Sequence, residues 1–284
     1  MRVVKTNKAL DQALAPFRKH GSTIGFVPTM GALHEGHLSL IRQALKKNDV
    51  VVCSIFVNPT QFNNATDLAK YPRTLQKDRV MLENSGCTIL YAPSVEEVYP
   101  ENLETQVTFF FKGLDKMMEG KFRPGHFKGM AQVVKRLLDL VQPDDLYMGQ
   151  KDFQQFTIVA HMLKTLKMKT KLVVCPILRE ENGLAMSSRN QRLSAELKES
   201  AAIIYKTLKS TKSKLKSFTV KEAENWAMKR LAIPDFNPEY FSIVDGYTLK
   251  PVDNPADHDY IVACTAVWAG DVRLIDNMIY KKPD

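Results

Sequence analysis

Two histidines three positions apart, His34 and His37, are the residues best suited to chemistry in this chain. They sit in the stretch Val27-Pro28-Thr29-Met30-Gly31-Ala32-Leu33-His34-Glu35-Gly36-His37-Leu38. Gly31 and Gly36 would let a ligand approach the backbone closely, and a helix starting here would put both imidazoles on one face. A phosphate would sit comfortably at such a helix start. Zinc is a poorer match, because the H-E-x-x-H spacing of metalloproteases needs a histidine where this chain has Leu38. Taken alone, the pair reads better as surface residues at a helix N-terminus, so the rest of the chain must decide.

Four more segments carry groups that suit an anionic ligand. Gly149-Gln150-Lys151-Asp152, followed by Gln154 and Gln155, puts a lysine at a helix start. Its charge opposes the helix dipole there, and an anion shared with the helix N-terminus would explain it. Asp152 is simply dipole-favourable. Met186-Ser187-Ser188-Arg189-Asn190 follows Glu180-Glu181-Asn182-Gly183. Two hydroxyls and an arginine on a flexible, glycine-bearing loop can close over phosphate oxygens, although a capped turn would look the same. Asn58-Pro59-Thr60-Gln61-Phe62 offers amides suited to a carboxylate or hydroxyl, or ordinary loop amides. Arg123-Pro124-Gly125-His126-Phe127 is a weaker basic loop of the same kind.

The elements that must position these groups alternate. The pattern predicts strand 22–27, helix 36–47, strand 50–57, a helix near 67–84, strand 87–92, strand 105–111, helix 128–141, strand 145–148, helix 152–167 and strand 171–177. This predicts an α/β fold, a Rossmann-like parallel sheet with helices on both faces, whose ligand crevice lies at the carboxyl ends of the strands. The His34/His37 turn follows the first of those strands, so the next helix points its unpaired N–H groups at any bound phosphate. After Pro176, helices at about 194–215 and 219–232 precede strands 239–245, 259–268 and 272–280, with turns at Asp245-Gly246 and Gly270-Asp271. We read a smaller C-terminal α+β domain with a short antiparallel sheet, giving domains of 1–177 and 178–284.

Composition limits the classes. The chain has 284 residues, 44% of them hydrophobic, and no run approaching the roughly 20 apolar residues that span a membrane. No signal-type segment follows Met1, and the separated cysteines Cys53, Cys87, Cys175 and Cys264 read as reduced thiols, so the expected location is cytoplasmic. The Asn64-Ala65-Thr66 sequon is read as chance. A formal net charge of +9 would suit a nucleic-acid binder, but the lysines fall on solvated helix faces with no exposed aromatics among them. Neither G-x-G-x-x-G nor a P-loop occurs, which argues against a dinucleotide dehydrogenase and a P-loop kinase.

His34-Glu35-Gly36-His37 after a strand resembles the HIGH signature of the nucleotidylyltransferase superfamily. With Val27-Pro28-Thr29-Met30-Gly31, Phe56-Val57-Asn58-Pro59-Thr60-Gln61-Phe62, Tyr71-Pro72-Arg73-Thr74, Gly149-Gln150-Lys151-Asp152-Phe153-Gln154-Gln155, Ser187-Ser188-Arg189-Asn190 and Asp271-Val272-Arg273-Leu274-Ile275-Asp276-Asn277 in order, nearly the whole chain resembles the pantothenate synthetase family, the pantoate–β-alanine ligases. The resemblance implies ATP-dependent condensation of pantoate with β-alanine through a pantoyl-adenylate, releasing AMP and pyrophosphate.

Carried over by position, it implies an ATP site of Met30, Gly31, Ala32, Leu33, His34, Glu35, Gly36, His37, Gly149, Gln150, Lys151, Asp152, Leu178, Met186, Ser187, Ser188 and Arg189. His37 would be the proton donor, acting with His34, Lys151, Ser187, Ser188 and Arg189 on the phosphates. Gln61 and Gln155 would hold pantoate, with Gln61 also near β-alanine. The resemblance also implies magnesium with the ATP, Asp78 as a candidate magnesium contact, and a homodimer. Gln150 stands where the family often has Glu. Two alternatives stay open. One is a HIGH-motif nucleotidyl transferase acting on a different small acid or phosphate, against which the Asn58–Phe62 and Gln155 set argues. The other is a nucleic-acid-binding protein, whose affinity would fall steeply with salt.

Overall fold

Val50-Val51-Val52-Cys53 has no polar face, and in the structure it is buried on both sides, as a central strand of a parallel sheet must be. The computed structural model describes residues 1–62, 68–69, 71–102, 104 and 108–283. The chain divides into two units. One holds Met1–Asp115, Gly120–Gly149 and Ile158–Cys175; the other holds Lys116–Glu119, Gln150–Thr157 and Pro176–Asp284.

The first unit is built on six parallel strands: β1 (Arg2–Val4), β2 (Ile24–Thr29), β3 (Val50–Ile55), β4 (Ile89–Tyr91), β5 (Asp145–Gly149) and β6 (Lys171–Cys175). Their order is β1-β4-β3-β2-β5-β6. Ile24 pairs with Val50 through to Thr29 with Ile55, while Gly25 and Phe26 pair with Asp145 and Leu146. The strand order therefore reverses at β2, with β3 on one side and β5 on the other. In such sheets the crevice at this reversal is the ligand site.

Helices α1 (Asn7–Lys19), α2 (Glu35–Leu45), α3 (Leu75–Asn84), the one-turn α4 (Val95–Val98) and α6 (His126–Val141) flank the sheet, and the short α5 (Met118–Phe122) precedes α6. On one face Leu38, Ile41 and Ala44 of α2 and Leu82 of α3 pack on Val27, Val51, Cys53 and Leu90. The four cysteines are free and buried.

Two expectations for this unit need correction. The helix near 67–84 is interrupted: Leu68 and Ala69 are helical, and a regular helix runs from Leu75 after a break at 71–74, because Tyr71 precedes Pro72 and a residue before proline is driven out of the helical region. Residues 67 and 70 lie outside the described residues, as does the 64–66 sequon. The strand expected at 105–111 is not formed over its described part, 108–111. Phe109 packs on Phe111 with ring centroids 4.3 Å apart, Phe110 is exposed, and the Phe110 carbonyl accepts from His161 Nε2 at 2.7 Å. The run has strand composition, but its described residues pair with no strand.

The second unit carries the antiparallel sheet β7 (Phe236–Asp245), β8 (Ile261–Ala269) and β9 (Val272–Lys281), in that order. Helices α8 (Ala195–Ser200), α9 (Ala202–Lys214) and α10 (Val220–Leu231) cover it through Ile204, Leu208, Ala223, Ala227 and Leu231. The single helix expected at 194–215 is thus two, divided at Ala201, which keeps near-helical angles. Thr219 and Glu222 form a reciprocal cap that fixes the start of α10. Helix α7 (Phe153–Thr165) begins in this unit and follows β5 after Gln150-Lys151-Asp152.

Candidate active site

The turn after β2 is held in a shape that few sequences allow. Gly31 has φ +83 and Ala32 φ +50, so two successive residues are left-handed. Asp78 of α3 makes this tolerable: its two carboxylate oxygens accept the Ala32 and Leu33 N–H groups at 2.9 and 2.8 Å, and the Thr74 hydroxyl reaches both. Asp78, the candidate magnesium contact, is buried and committed to this backbone. The Gly31 N–H in turn donates to Thr29 Oγ1.

His34 is the N-cap of α2, with extended angles rather than helical ones. Its Nδ1 accepts the Gly36 N–H at 3.1 Å, and His37 Nδ1 accepts from the His34 N–H at 3.4 Å. The rings lie 4.1 Å apart. Because Nδ1 is the acceptor in both rings, the neutral imidazoles carry their protons on Nε2. The result is two Nε2–H donors beside the positive end of a helix, an arrangement suited to phosphate oxygens.

Beside this turn, Asn58 caps a 3-10 turn, Pro59–Gln61, and acts as a bracket. Its Oδ1 accepts from the Thr60 hydroxyl and from Tyr99 Oη at 2.9 Å, while its Nδ2 donates to the Gly129 carbonyl and to Gln61 Oε1. Gln61 Nε2 then faces Met30 Sδ at 3.0 Å. His126 Nδ1–H donates to the Gln61 carbonyl at 2.8 Å, so this histidine supports the turn from α6. Gly129 has to be glycine: a Cβ there would lie 2.2 Å from the Thr60 carbonyl oxygen. The amide of Gln61 is thus brought to the residue that follows β2.

In the second unit, Lys151 Nζ lies 3.4 Å from Asp152 Oδ1. The amide of Asn277, from β9, donates to the carbonyls of Gln150 and Lys151 at 2.9 and 2.8 Å and accepts from Gln150 Nε2 at 3.1 Å. Asp276 takes both arms of Arg179, at 2.6 and 3.0 Å; burial pushes its carboxyl upward and the guanidinium opposes that. Gln154 is buried and structural, bonded to Met117 and Glu119, whereas Gln155 is half-buried.

The 180–190 loop is well bonded within itself. Asn190 Nδ2 donates to Glu180 Oε1 and to the Ala185 carbonyl, and Asn182 Oδ1 accepts the Leu184 N–H. Ser187 Oγ caps the 3-10 turn Ser188–Arg192 by accepting the Arg189 N–H. Met186, Ser187, Ser188 and Arg189 are half-buried and Leu178 is exposed. Among the described residues no three His, Cys, Asp or Glu side chains gather to hold a metal ion, and no helix is long and apolar enough to cross a membrane.

The family model of the pantoate–β-alanine ligases matches residues 2–279. The chain belongs to this family. It is 50% identical over 283 residues to the pantothenate synthetase of Phocaeicola vulgatus, covering 99% of this chain and 100% of that one. The crystal structure of pantothenate synthetase from Thermus thermophilus matches with a TM-score of 0.91 at 41% identity, over 99% of this chain and 100% of the other. The ligase of Francisella tularensis, solved with β,γ-ATP and β-alanine, matches with a TM-score of 0.79 at 36% identity, over 99% and 98%.

Membership in a ligase family makes this an enzyme, with the six-stranded parallel sheet and small antiparallel sheet expected of it. Within the first unit the structure brings Met30, His34, His37 and Gln61 to neighbouring strand ends. Within the second it ties Gln150 and Lys151 to Asn277. Sequence reasoning missed the bracket of Asn58, the support from His126, the clamp of Asp78 and the grip of Asn277. All four stood at positions the sequence singled out, Asn58 as a ligand amide, His126 in an anion-suited loop, Asp78 as a candidate magnesium contact and Asn277 in a motif without a role, but none of those signals pointed to support.

Proposed function

We propose that the chain joins pantoate to β-alanine in two steps using ATP. A pantoate carboxylate oxygen attacks the α-phosphorus and the bond to pyrophosphate breaks, giving the acyl-adenylate. The β-alanine amine then attacks the acyl carbon, losing a proton, and AMP leaves with the electron pair of the acyl–oxygen bond. The observation that carries this reading is the pairing, at neighbouring strand ends, of two Nε2–H donors on a helix N-terminus with the Gln61 amide.

Two anionic reactants must meet, so neutralisation and positioning should supply most of the rate. We assign His34 and His37 to the phosphates, with His37 as proton donor. Met30–His37, Gly149–Asp152, Leu178 and Met186–Arg189 are assigned to ATP, with Lys151, Ser187, Ser188 and Arg189 at its phosphates. Gln61 and Gln155 are assigned to pantoate. Magnesium is proposed to arrive on the ATP as part of the substrate, since a small hard cation is readily held by phosphate oxygens and water.

The Ser187–Arg189 segment is proposed to gain order over the adenylate and shield it from water. Hydrogen exchange tests this: equal protection with and without adenylate would refute it. A cytoplasmic homodimer completes the proposal, and sedimentation tests the dimer. The overall reaction is tested by mass spectrometry of a complete mixture. One pantothenate, one AMP and one pyrophosphate per ATP are expected; ADP and phosphate instead would refute the adenylate route.

A further inference from the structure

Lys151 lies in the short segment between β5 and α7, outside both elements, and one buried side chain reaches the carbonyls on either side of its Cα: Asn277 Nδ2 donates to those of Gln150 and Lys151, at 2.9 and 2.8 Å. Those two oxygens belong to the two peptide planes that flank the Lys151 Cα. Peptide groups are planar, so fixing both planes fixes φ and ψ of Lys151, and with them the direction in which its Cα–Cβ bond leaves the chain.

Asn277 is itself over-determined. Its Oδ1 accepts from Gln150 Nε2 at 3.1 Å, so turning the amide over would set an oxygen against two carbonyls and an NH2 against another NH2. Its backbone N–H donates to Asp276 Oδ1 at 2.8 Å. Asp276 is held by both arms of Arg179, whose guanidinium lies 4.0 Å from the Tyr205 ring centroid and also donates to the Gly183 carbonyl. A chain of contacts therefore runs from the base of the 180–190 loop through Arg179 and Asp276 to Asn277. It ends on the backbone of Lys151.

We propose that Asn277 is a positioning residue for Lys151, braced by the Arg179–Asp276 pair. It touches no substrate; it sets the line along which the lysine reaches. The proposal rests on the assignment of Lys151 to the ATP phosphates.

The test is a double-mutant cycle on pantoate-dependent ATP–pyrophosphate exchange, using Asn277→Ala, Lys151→Ala and the double variant. Asn277→Ala should lower kcat roughly tenfold to a hundredfold, as the loss of a supporting contact or a misplacement of about 1 Å does, with KM for pantoate unchanged. In the Lys151→Ala background the same substitution should cost nothing further, because its effect runs through the lysine. Additive losses, or full activity in a folded Asn277→Ala, overturn the proposal. If Lys151→Ala alone keeps wild-type exchange, the lysine's own assignment falls and takes the proposal with it, an outcome that single variant reports by itself. Should Asn277→Ala fail to fold, Asn277→Ser keeps one donor and should show a smaller loss that also vanishes without Lys151. A Ser loss that persists in that background overturns the proposal.

Discussion

His34 and His37 cap one helix together, each turning its Nδ1 to a backbone N–H: Gly36 for His34 at 3.1 Å, and His34 for His37 at 3.4 Å. On the proposed reading the arrangement gives one ring two roles, a structural Nδ1 and a chemical Nε2. The roles can be separated, because an asparagine Oδ1 can replace the first and not the second. His37→Asn should keep the thermal midpoint of the wild type and lose adenylate formation by roughly two to three orders of magnitude, the range for one electrostatic donor. His37→Ala and Lys151→Ala should lose a similar factor. Near-normal exchange in any folded member of this set would remove that residue from the chemistry.

Gln61 is aimed by Asn58, which holds its Oε1 and leaves Nε2 facing Met30. Gln61→Ala should weaken pantoate binding by about 1.5–3 kcal/mol, the range for a hydrogen bond to a charged group, and leave ATP binding unchanged. Titration calorimetry with each ligand decides it. Equal losses for both would make Gln61 a support of the turn.

The left-handed pair Gly31-Ala32 depends on Asp78, whose carboxylate takes the Ala32 and Leu33 N–H groups in a buried setting. Asp78→Ala should cost about 2–4 kcal/mol in urea unfolding, because two backbone donors lose a charged acceptor. Asp78→Asn keeps one acceptor and should cost less. If Asp78→Ala unfolded at the wild-type midpoint, the clamp would carry no weight.

Asp245 gives a pH-dependent contribution. Burial pulls its carboxyl upward, but bonds from His258, Thr248 and Tyr247 outweigh that and hold it below the ordinary aspartate value. A carboxyl depressed in the fold stabilises fully above its unfolded value of about 3.9, and loses that contribution as pH falls through the folded value. The stability gap between wild type and Asp245→Asn should therefore be present at about pH 5 and close as pH falls below about 4. A gap that widens in acid would contradict the assignment.

The sheet was legible because its central strands are buried on both faces and so read as apolar runs, as at Val50–Cys53. Helix α6 was legible from Met130, Val133, Val134, Leu137, Leu138 and Val141, all of them buried. Phe109-Phe110-Phe111 misled because composition cannot say whether a partner strand exists. Helix α1 was overlooked, although Thr6 caps it and Leu10, Ala13 and Leu14 line its buried face. The histidine turn was found through its local spacing. Asp78 acts across 46 residues on Ala32, and Asn277 across 127 on Gln150. Contacts of that span leave no periodicity to read; they become visible only when the strands bring distant segments side by side.

The central claim is that this chain activates pantoate as an adenylate before β-alanine takes part. Exchange of labelled pyrophosphate into ATP, measured with pantoate and without β-alanine, tests it most directly. Exchange that requires pantoate, proceeds without β-alanine and disappears when magnesium is chelated is the predicted result. Exchange without pantoate, or none until β-alanine is added, would contradict it.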